Sequence, residues 1–237
     1  MFDLHCHILP SLDDGAGSME EALKMLEKAA FGGTRGIVAT PHSREKGNRK
    51  LFLPALSRLR EAARERQIPT RIYAGEELLL NEDGLLCLFS GDVLPINGSR
   101  YLLCEFEFSE DWEFAWHALD EVRKAGFIPI VAHPERYDFF RENNDAAREI
   151  HALGGLLQVN RGSIFGRHGS EVEEIAWYLL SSGQADFVAS DGHSPYLRTP
   201  ELSDAHERVS MAFSYDYADK LMLVNPGRVL RNEKISG

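Results

Sequence analysis

Seven short apolar runs punctuate the chain, and each gives way to a polar turn and, in most cases, to a stretch with helical period. They are Phe2–His5, Gly36–Thr40, Arg71–Gly75, Tyr101–Phe106, Ile128–Ala132, Leu156–Val159 and Phe187–Ala189. Runs without polar alternation read as strands covered on both faces, and right-handed crossovers bring the carboxyl ends of such parallel strands to one side. The helices predicted between them begin with Ser18-Met-Glu-Glu21, a capping box. Met19, Ala22, Leu23, Leu26, Ala29 and Ala30 then keep one face until Gly32-Gly33 stops it. Others run over Phe52–Arg66, Asp111–Ala125, Asn144–Leu153, Ser170–Ser182 and Ser203–Phe213. The pattern specifies an α/β barrel or barrel-like fold, with a doubly wound open sheet as the alternative. The barrel is favoured because chemically similar residues follow almost every strand, whereas an open sheet concentrates its site at one switch point.

The 237 residues fit one domain, 1–237, since no Ser/Gly/Pro-rich linker divides them. Twenty-six basic against 37 acidic residues give a net charge of -11, which argues against nucleic acid as the main partner. Three cysteines without Cys-x-x-Cys spacing argue against a disulfide framework and a thiolate zinc knuckle, and point to a reducing, cytoplasmic setting. No apolar run approaches the ~18 residues that cross a bilayer, and no signal-peptide pattern precedes Phe2. The expectation is a soluble, unprocessed protein.

Metal-ligand residue types recur at the strand ends. His5 and His7 lie two apart, so on a strand both point to one face. Asp191 and His193 repeat that spacing after the last run, and His42 and His133 follow the second and fifth. Alone, each could be a satisfied polar residue at a strand end. Together they would converge on one face of a barrel. Asp14 opens the loop before the first helix, where a simple turn is the bland reading. Glu77 and Glu105 put carboxylates at the ends of apolar strands, and a buried carboxylate without a cation costs several kcal/mol. His117, His151, His168 and His206 read as solvated surface. Arg44, Arg136 and Arg198 follow His42, His133 and His193 closely, where guanidinium groups could grip phosphate oxygens.

Cys6 lacks what a thiol nucleophile needs. An arginine six residues on would build its phosphate loop, but that position holds Leu12, and Val93 and Glu110 stand at the equivalent places after Cys87 and Cys104. Cys6 is expected to be a small buried residue facing away from His5 and His7. Gly-x4-Gly-Lys loops and Gly-x-Ser-x-Gly elbows are also absent.

The pieces Asp3-Leu-His-Cys-His-Ile-Leu-Pro10, Asp13-Asp-Gly-Ala16, Thr40-Pro-His42, Gly75-Glu-Glu77, Glu105-Phe106, Ala132-His-Pro-Glu-Arg-Tyr137, Gln158-Val-Asn160 and Ser190-Asp-Gly-His193 resemble the PHP (polymerase and histidinol phosphatase) family. Within it the chain is most similar to the manganese-dependent protein tyrosine phosphatases encoded with bacterial capsule and exopolysaccharide genes. The resemblance spans nearly the whole length and implies a distorted seven-stranded (β/α)7 barrel with up to three divalent metals. Manganese is the expected metal, and the mixed nitrogen and oxygen donors also suit iron or zinc. One metal would be held by His5, His7, Glu77 and Asp191, a second by Glu77, Glu105 and His133, and a third by Asp14, His42 and His193. Glu77 would bridge the first two, with Glu76 a competing candidate. Arg136 and Arg198 match positions that hold substrate phosphate. Departures after His42, at Phe106-Glu107-Phe108 and at Ser190-Asp-Gly bear on substrate preference.

The resemblance implies hydrolysis of phosphotyrosine by metal-activated water, with the tyrosine-rich tail of an autokinase controlling capsule or exopolysaccharide synthesis as the partner. Alternatives with the same metals are a small-molecule phosphatase, such as one for histidinol phosphate, and a PHP-type nuclease. A non-catalytic module that keeps metals for stability is a third.

Overall fold

Nine strands, each pairing in parallel with its neighbours, make up the sheets of the computed structural model, which describes residues 1–43, 49–143 and 145–235. They are β1 (Phe2–Cys6), β2 (Gly36–Ala39), β3 (His42–Ser43), β4 (Arg71–Ala74), β5 (Glu77–Leu79), β6 (Tyr101–Glu105), β7 (Ile128–Ala132), β8 (Leu156–Asn160) and β9 (Phe187–Ala189). One sheet has the order β1-β2-β4 and the other β3-β5-β6-β7-β8-β9. The α/β class with parallel sheets is as expected. The strands are divided between two sheets, of three and six strands, neither of which closes on itself. The cause is local. Thr40-Pro41 separates β2 from β3, and proline has no N–H to give the ladder. Gly75-Glu76 likewise separates β4 from β5, so the expected runs Gly36–Thr40 and Arg71–Gly75 are each followed by a further short strand that lay outside them. The short strands β3 and β5 then pair with each other, His42 opposite Glu77.

The chain's two ends of strand order still meet. A parallel bridge joins Cys6 to Gly192, with Asp191 N–H donating to the His5 carbonyl (3.0 Å) and His7 N–H to that of Gly192 (2.8 Å). Alternation along each strand divides its side chains between two environments. Leu4, Val38, Tyr101, Leu103, Ile130, Ala132 and Phe187, drawn from both sheets, pack in one interior cluster. Leu102, Cys104, Val131, Leu157 and Val188 face the opposite way, into a second cluster under the helices.

Around the sheets lie α1 (Met19–Phe31), α2 (Arg49–Glu65), α3 (Glu82–Phe89), α4 (Trp112–Lys124), α5 (Asp138–Glu142), α6 (Ala146–Leu153), α7 (Arg161–Ile164), α8 (Ser170–Ser181), α9 (Ser203–Ala212), α10 (Tyr215–Asp219) and α11 (Asn225–Leu230). The predicted helices correspond to α1, α2, α4, α6, α8 and α9; Asn144, the expected start of α6, lies outside the described residues. Those missed are mostly too short to show a period. At α1 the Ser18 hydroxyl accepts from Glu21 N–H (3.2 Å), while the Glu21 carboxylate reaches back one residue further than a standard capping box, to Gly17 N–H (2.8 Å). Such a cap contributes about 1 kcal/mol. Among the described residues no helix is long and apolar enough to cross a membrane.

Candidate metal centre

The carboxyl ends of the strands carry the ligand-type side chains to one place, as parallel strands do. His5 lies near the end of β1 and His7 one residue past it. The backbone alternation turns both imidazoles to one side and Cys6 to the other, where it packs with Leu9, Ala22 and Ile37. The Cys6 thiol is fully buried and its pKa is pushed well above the ordinary value, first by burial and then by Asp3. It is a neutral core side chain.

Glu77 is the hub. Its Oε2 lies 3.2 Å from His5 Nε2, 3.1 Å from His7 Nε2 and 3.1 Å from His42 Nδ1, and its Oε1 lies 2.9 Å from His133 Nε2. Four donor-type residues thus meet one carboxylate that water does not reach. Oε2 nevertheless accepts no hydrogen bond of acceptable geometry, which leaves a buried anionic atom facing three ring nitrogens. A buried polar group is ordinarily satisfied, so this convergence is what a cation-binding site requires. Asp191 Oδ1 stands 3.5 Å from both His5 Nε2 and His7 Nε2. His42 Nδ1 is 2.7 Å from Glu105, while its Nε2 reaches Asp14 at 3.4 Å; His193 Nε2 reaches the same Asp14 oxygen at 3.5 Å.

All nine expected ligand residues fall into groups whose donor atoms lie within 4.8 Å of one another: His5, His7 and Asp191; His5, Glu77 and His133; His42, Glu77 and Glu105; and His7, Asp14, His42 and His193. These groups differ from the partition the resemblance implies. Glu105 stands with His42 and Glu77, whereas His133 stands with His5 and Glu77, since Glu77 turns one oxygen to each group. Glu76 takes no part. It lies in the break before β5, and its carboxylate is held by Arg49 and by Leu94 N–H (2.7 Å).

The facing histidines and carboxylates shift one another's titration. Burial favours the neutral forms of Glu77 and Asp191, but the facing histidines overcome it and hold both carboxyls well below the usual range. Against the same penalty, these carboxylates raise His5 and, with Asp13 foremost, His7, while the hydrogen bond to Glu105 and the charge of Glu77 raise His42 to about 9. His193 moves the other way, to about 3, through burial and the neighbouring His7 charge. Two non-glycine residues at the cluster have positive φ, His133 at 37° and Asp191 at 49°. Left-handed backbone costs a side-chain-bearing residue free energy, and such strain gathers where a side chain must be aimed.

Sequence reading missed the residues that aim the ligands. Asp13 takes His7 Nδ1 at 2.8 Å and accepts from the backbone N–H groups of His42 (3.0 Å) and Gly15 (2.9 Å), and its pKa falls to about 2: burial opposes this, but the His7 hydrogen bond outweighs it. Gly15 permits that loop, since a Cβ there would stand 2.0 Å from the His7 carbonyl oxygen. Gln158 Oε1 lies 2.7 Å from His5 Nδ1, and Asn160 donates to Asp191 (2.6 Å). The adjacent acidic pair and the polar Gln158 and Asn160 in an apolar strand were the signals available. Supporting partners of this kind change metal affinity by ~10–100-fold. Asp13→Asn is therefore expected to weaken metal binding within that range while leaving the fold intact; an unchanged affinity in a metal titration would remove Asp13 from the site.

Arg136 and Arg198 both lean on Asp191, at 3.7 Å and 2.6 Å, and the Arg136 guanidinium lies 4.3 Å over the Phe108 ring. Arg44 lies outside the described residues. Of the histidines expected at the surface only His117 is exposed. His151 and His206 pair with Asp186 and Asp219, each at 2.8 Å, and half-buried His168 is lowered to about 4 by burial and then by Arg136 and Arg198.

A family model, Capsular polysaccharide synthesis, CpsB/CapC, matches residues 1–231. Tyrosine-protein phosphatase YwqE of Bacillus subtilis is 30% identical over 242 residues, covering 99% of this chain and 93% of its own length. Tyrosine-protein phosphatase CpsB of Streptococcus agalactiae is 30% identical over 243 residues, covering 99% and 100%. A crystal structure from work on YwqE of B. subtilis and CpsB of Streptococcus pneumoniae, described as metal-dependent tyrosine phosphatases, superposes with a TM-score of 0.92 at 30% identity, covering 100% of this chain and 96% of that one.

Proposed function

This chain belongs to the CpsB/CapC family of capsular polysaccharide synthesis, and from that premise we propose that its histidine–carboxylate cluster hydrolyses phosphotyrosine in a protein substrate. It is a metal-dependent tyrosine phosphatase, with relatives so named over its full length. The observation that carries the reading for its own residues is the convergence of His5, His7, Asp14, His42, Glu77, Glu105, His133, Asp191 and His193 around a buried Glu77 oxygen that accepts no hydrogen bond.

When bound there, divalent cations supply Lewis-acid charge for phosphoryl oxygens and lower the pKa of water toward ~7. The nine residues would hold up to three such ions. Manganese is the reading we favour, since oxygen and imidazole donors without thiolate suit it. The chain's own contribution is to bind and orient the phosphate. Arg136 and Arg198 present guanidinium groups beside Asp191, where two in-plane N–H donors can take two phosphate oxygens. Phe108 lies under Arg136 and fixes the plane of its guanidinium. Tyrosine leaves as a phenolate of pKa ~10, so proton donation is needed less than for an alkyl ester.

We read residues 1–237 as one domain of PHP type. Taking β2 with β3 and β4 with β5 as interrupted strands, the two sheets would form a distorted seven-stranded ring, which the Cys6–Gly192 bridge supports. We place the protein in the cytoplasm. Its partner would be the phosphorylated tyrosine-rich tail of an autokinase that controls capsule or exopolysaccharide synthesis.

The test is turnover of a phosphotyrosine peptide after chelation and again after manganese is restored, beside histidinol phosphate. Manganese-restored turnover of the peptide supports the reading, and preferential turnover of histidinol phosphate overturns it. Arg136→Ala is expected to lower kcat/KM on the peptide by about 10²-fold, the loss of roughly 3 kcal/mol of charged hydrogen bonding. Bound metal should stay unchanged, and wild-type kinetics would take Arg136 out of substrate binding.

A further inference from the structure

Beside the ligand cluster lies a cavity of about 400 Å³, sharing Asp191 and Arg198 with it and lined further by Arg161, Arg167, His168 and Tyr196. Its wall is basic in a chain whose net charge is -11. The lining charges differ in how they are used. Arg161 is tied to Asp204 by two hydrogen bonds (2.7 and 2.5 Å), and Arg198 is tied to Asp191. Arg167 forms no ion pair among the described residues; one nitrogen donates to the Leu197 carbonyl at 2.5 Å. Among the described residues Asp191 is the only carboxylate lining the cavity, and it already faces three histidines and two arginines. The cavity therefore offers positive charge without an anion of its own. On its rim Tyr196 and Leu197 are 67% and 80% exposed, open to a peptide that enters the cavity.

We propose that this cavity is a specificity subsite, in which Arg167 receives an acidic side chain of the substrate peptide close in sequence to the phosphotyrosine. The proposal rests on the phosphatase reading and adds to it a preference among phosphotyrosine sequences. A peptide whose phosphate reaches the cluster passes the Asp191–Arg198 wall, and its neighbouring side chain then has the cavity within reach. A carboxylate there gains the Arg167 charge, whereas a lysine would meet an uncompensated positive wall, so the subsite both selects and rejects. Tyr196 and Leu197 would lie along the peptide backbone and exclude water from the pair. Arg167 touches neither the phosphate nor the ligand cluster, so its effect belongs to substrate binding.

The experiment uses the metal-loaded enzyme and phosphotyrosine peptides carrying one Glu, or Gln in its place, at successive positions on either side of the phosphotyrosine, with free phosphotyrosine as the control. At one position Glu is expected to raise kcat/KM about fivefold over Gln, ~1 kcal/mol, through KM and with attenuation by salt. Arg167→Gln should bring the ratio close to one, and Arg167→Glu should favour a Lys-bearing peptide, while both variants turn over free phosphotyrosine as the wild type does. Equal ratios in wild type and Arg167→Gln, or no Glu preference at any position, would overturn the subsite. Absence of turnover for free phosphotyrosine and every peptide would instead overturn the phosphatase reading.

Discussion

Glu77→Gln is expected to lower kcat on a phosphotyrosine peptide by at least about 10³-fold, with bound metal falling in parallel. The substitution keeps size and shape, so the effect isolates the charge. In the present structure the Glu77 carboxylate faces His5, His7 and His42 with one oxygen and His133 with the other. An amide puts a neutral oxygen or an NH₂ group where that charge was, and an NH₂ group repels any cation the histidines could bind. Metal charge stabilises a phosphoryl transition state by several kcal/mol, and each 1.4 kcal/mol is about tenfold in rate. Elemental analysis beside kinetics checks the expectation. Retained metal with near-normal turnover would mean that Glu77 is only a counter-ion for the histidines. Glu76→Gln serves as the contrast, because its carboxylate is bound to Arg49 and Leu94. It should disturb stability through the loss of the buried Arg49–Glu76 pair, which leaves Arg49 with Asp92 and Ser43, and leave metal affinity nearly unchanged.

Chelation is the second large effect. Removing divalent metal should abolish turnover and lower Tm by roughly 10 °C: ligand at ~1,000 times its Kd stabilises by ~4 kcal/mol, and a chain of this size shifts by ~2–4 °C per kcal/mol. Metal affinity should rise with pH up to about 9. In the metal-free protein His42 titrates at about 9, where its hydrogen bond to Glu105 and the Glu77 charge outweigh the burial that opposes its charge. It therefore carries a proton at pH 7, and a cation must displace that proton to use the ring nitrogen. Calorimetric titrations in two buffers of different ionisation enthalpy would read the released proton, and its absence would exclude His42 as a ligand. Cys6→Ser separates this chemistry from thiol chemistry. The thiol is buried, protonated and turned into the apolar core, so the variant should keep its turnover to within a few-fold and lose ~1–3 kcal/mol of stability through the buried hydroxyl. Loss of turnover with metal content unchanged would overturn the metal reading.

How much was legible follows from the range over which each signal acts. The expected runs over Ile128–Ala132 and Phe187–Ala189 match β7 and β9 in full, and the others match to within a residue at their ends, because apolar continuity and turn residues are local properties. β3 and β5 escaped notice because two and three residues carry no period, and their pairing joins His42 to Glu77 across 35 positions. His-x-His and Asp-Gly-His pairs were readable because spacing within a strand sets the face to which a side chain points.

The amino-acid sequence by itself determined the βα order, the side of the strands on which function gathers, the nine ligand-type residues and the uselessness of Cys6 as a nucleophile. Each depends on residue type and on spacing over a few positions. Only the tertiary structure decided which neighbouring glutamate faces the histidines, how the ligands group, that Asp13, Gln158 and Asn160 hold them in place, and that Arg167 forms no ion pair among the described residues. Those outcomes depend on distances between residues remote in the chain, such as His5 and Gln158, which are set by how the sheets pack rather than by any local pattern.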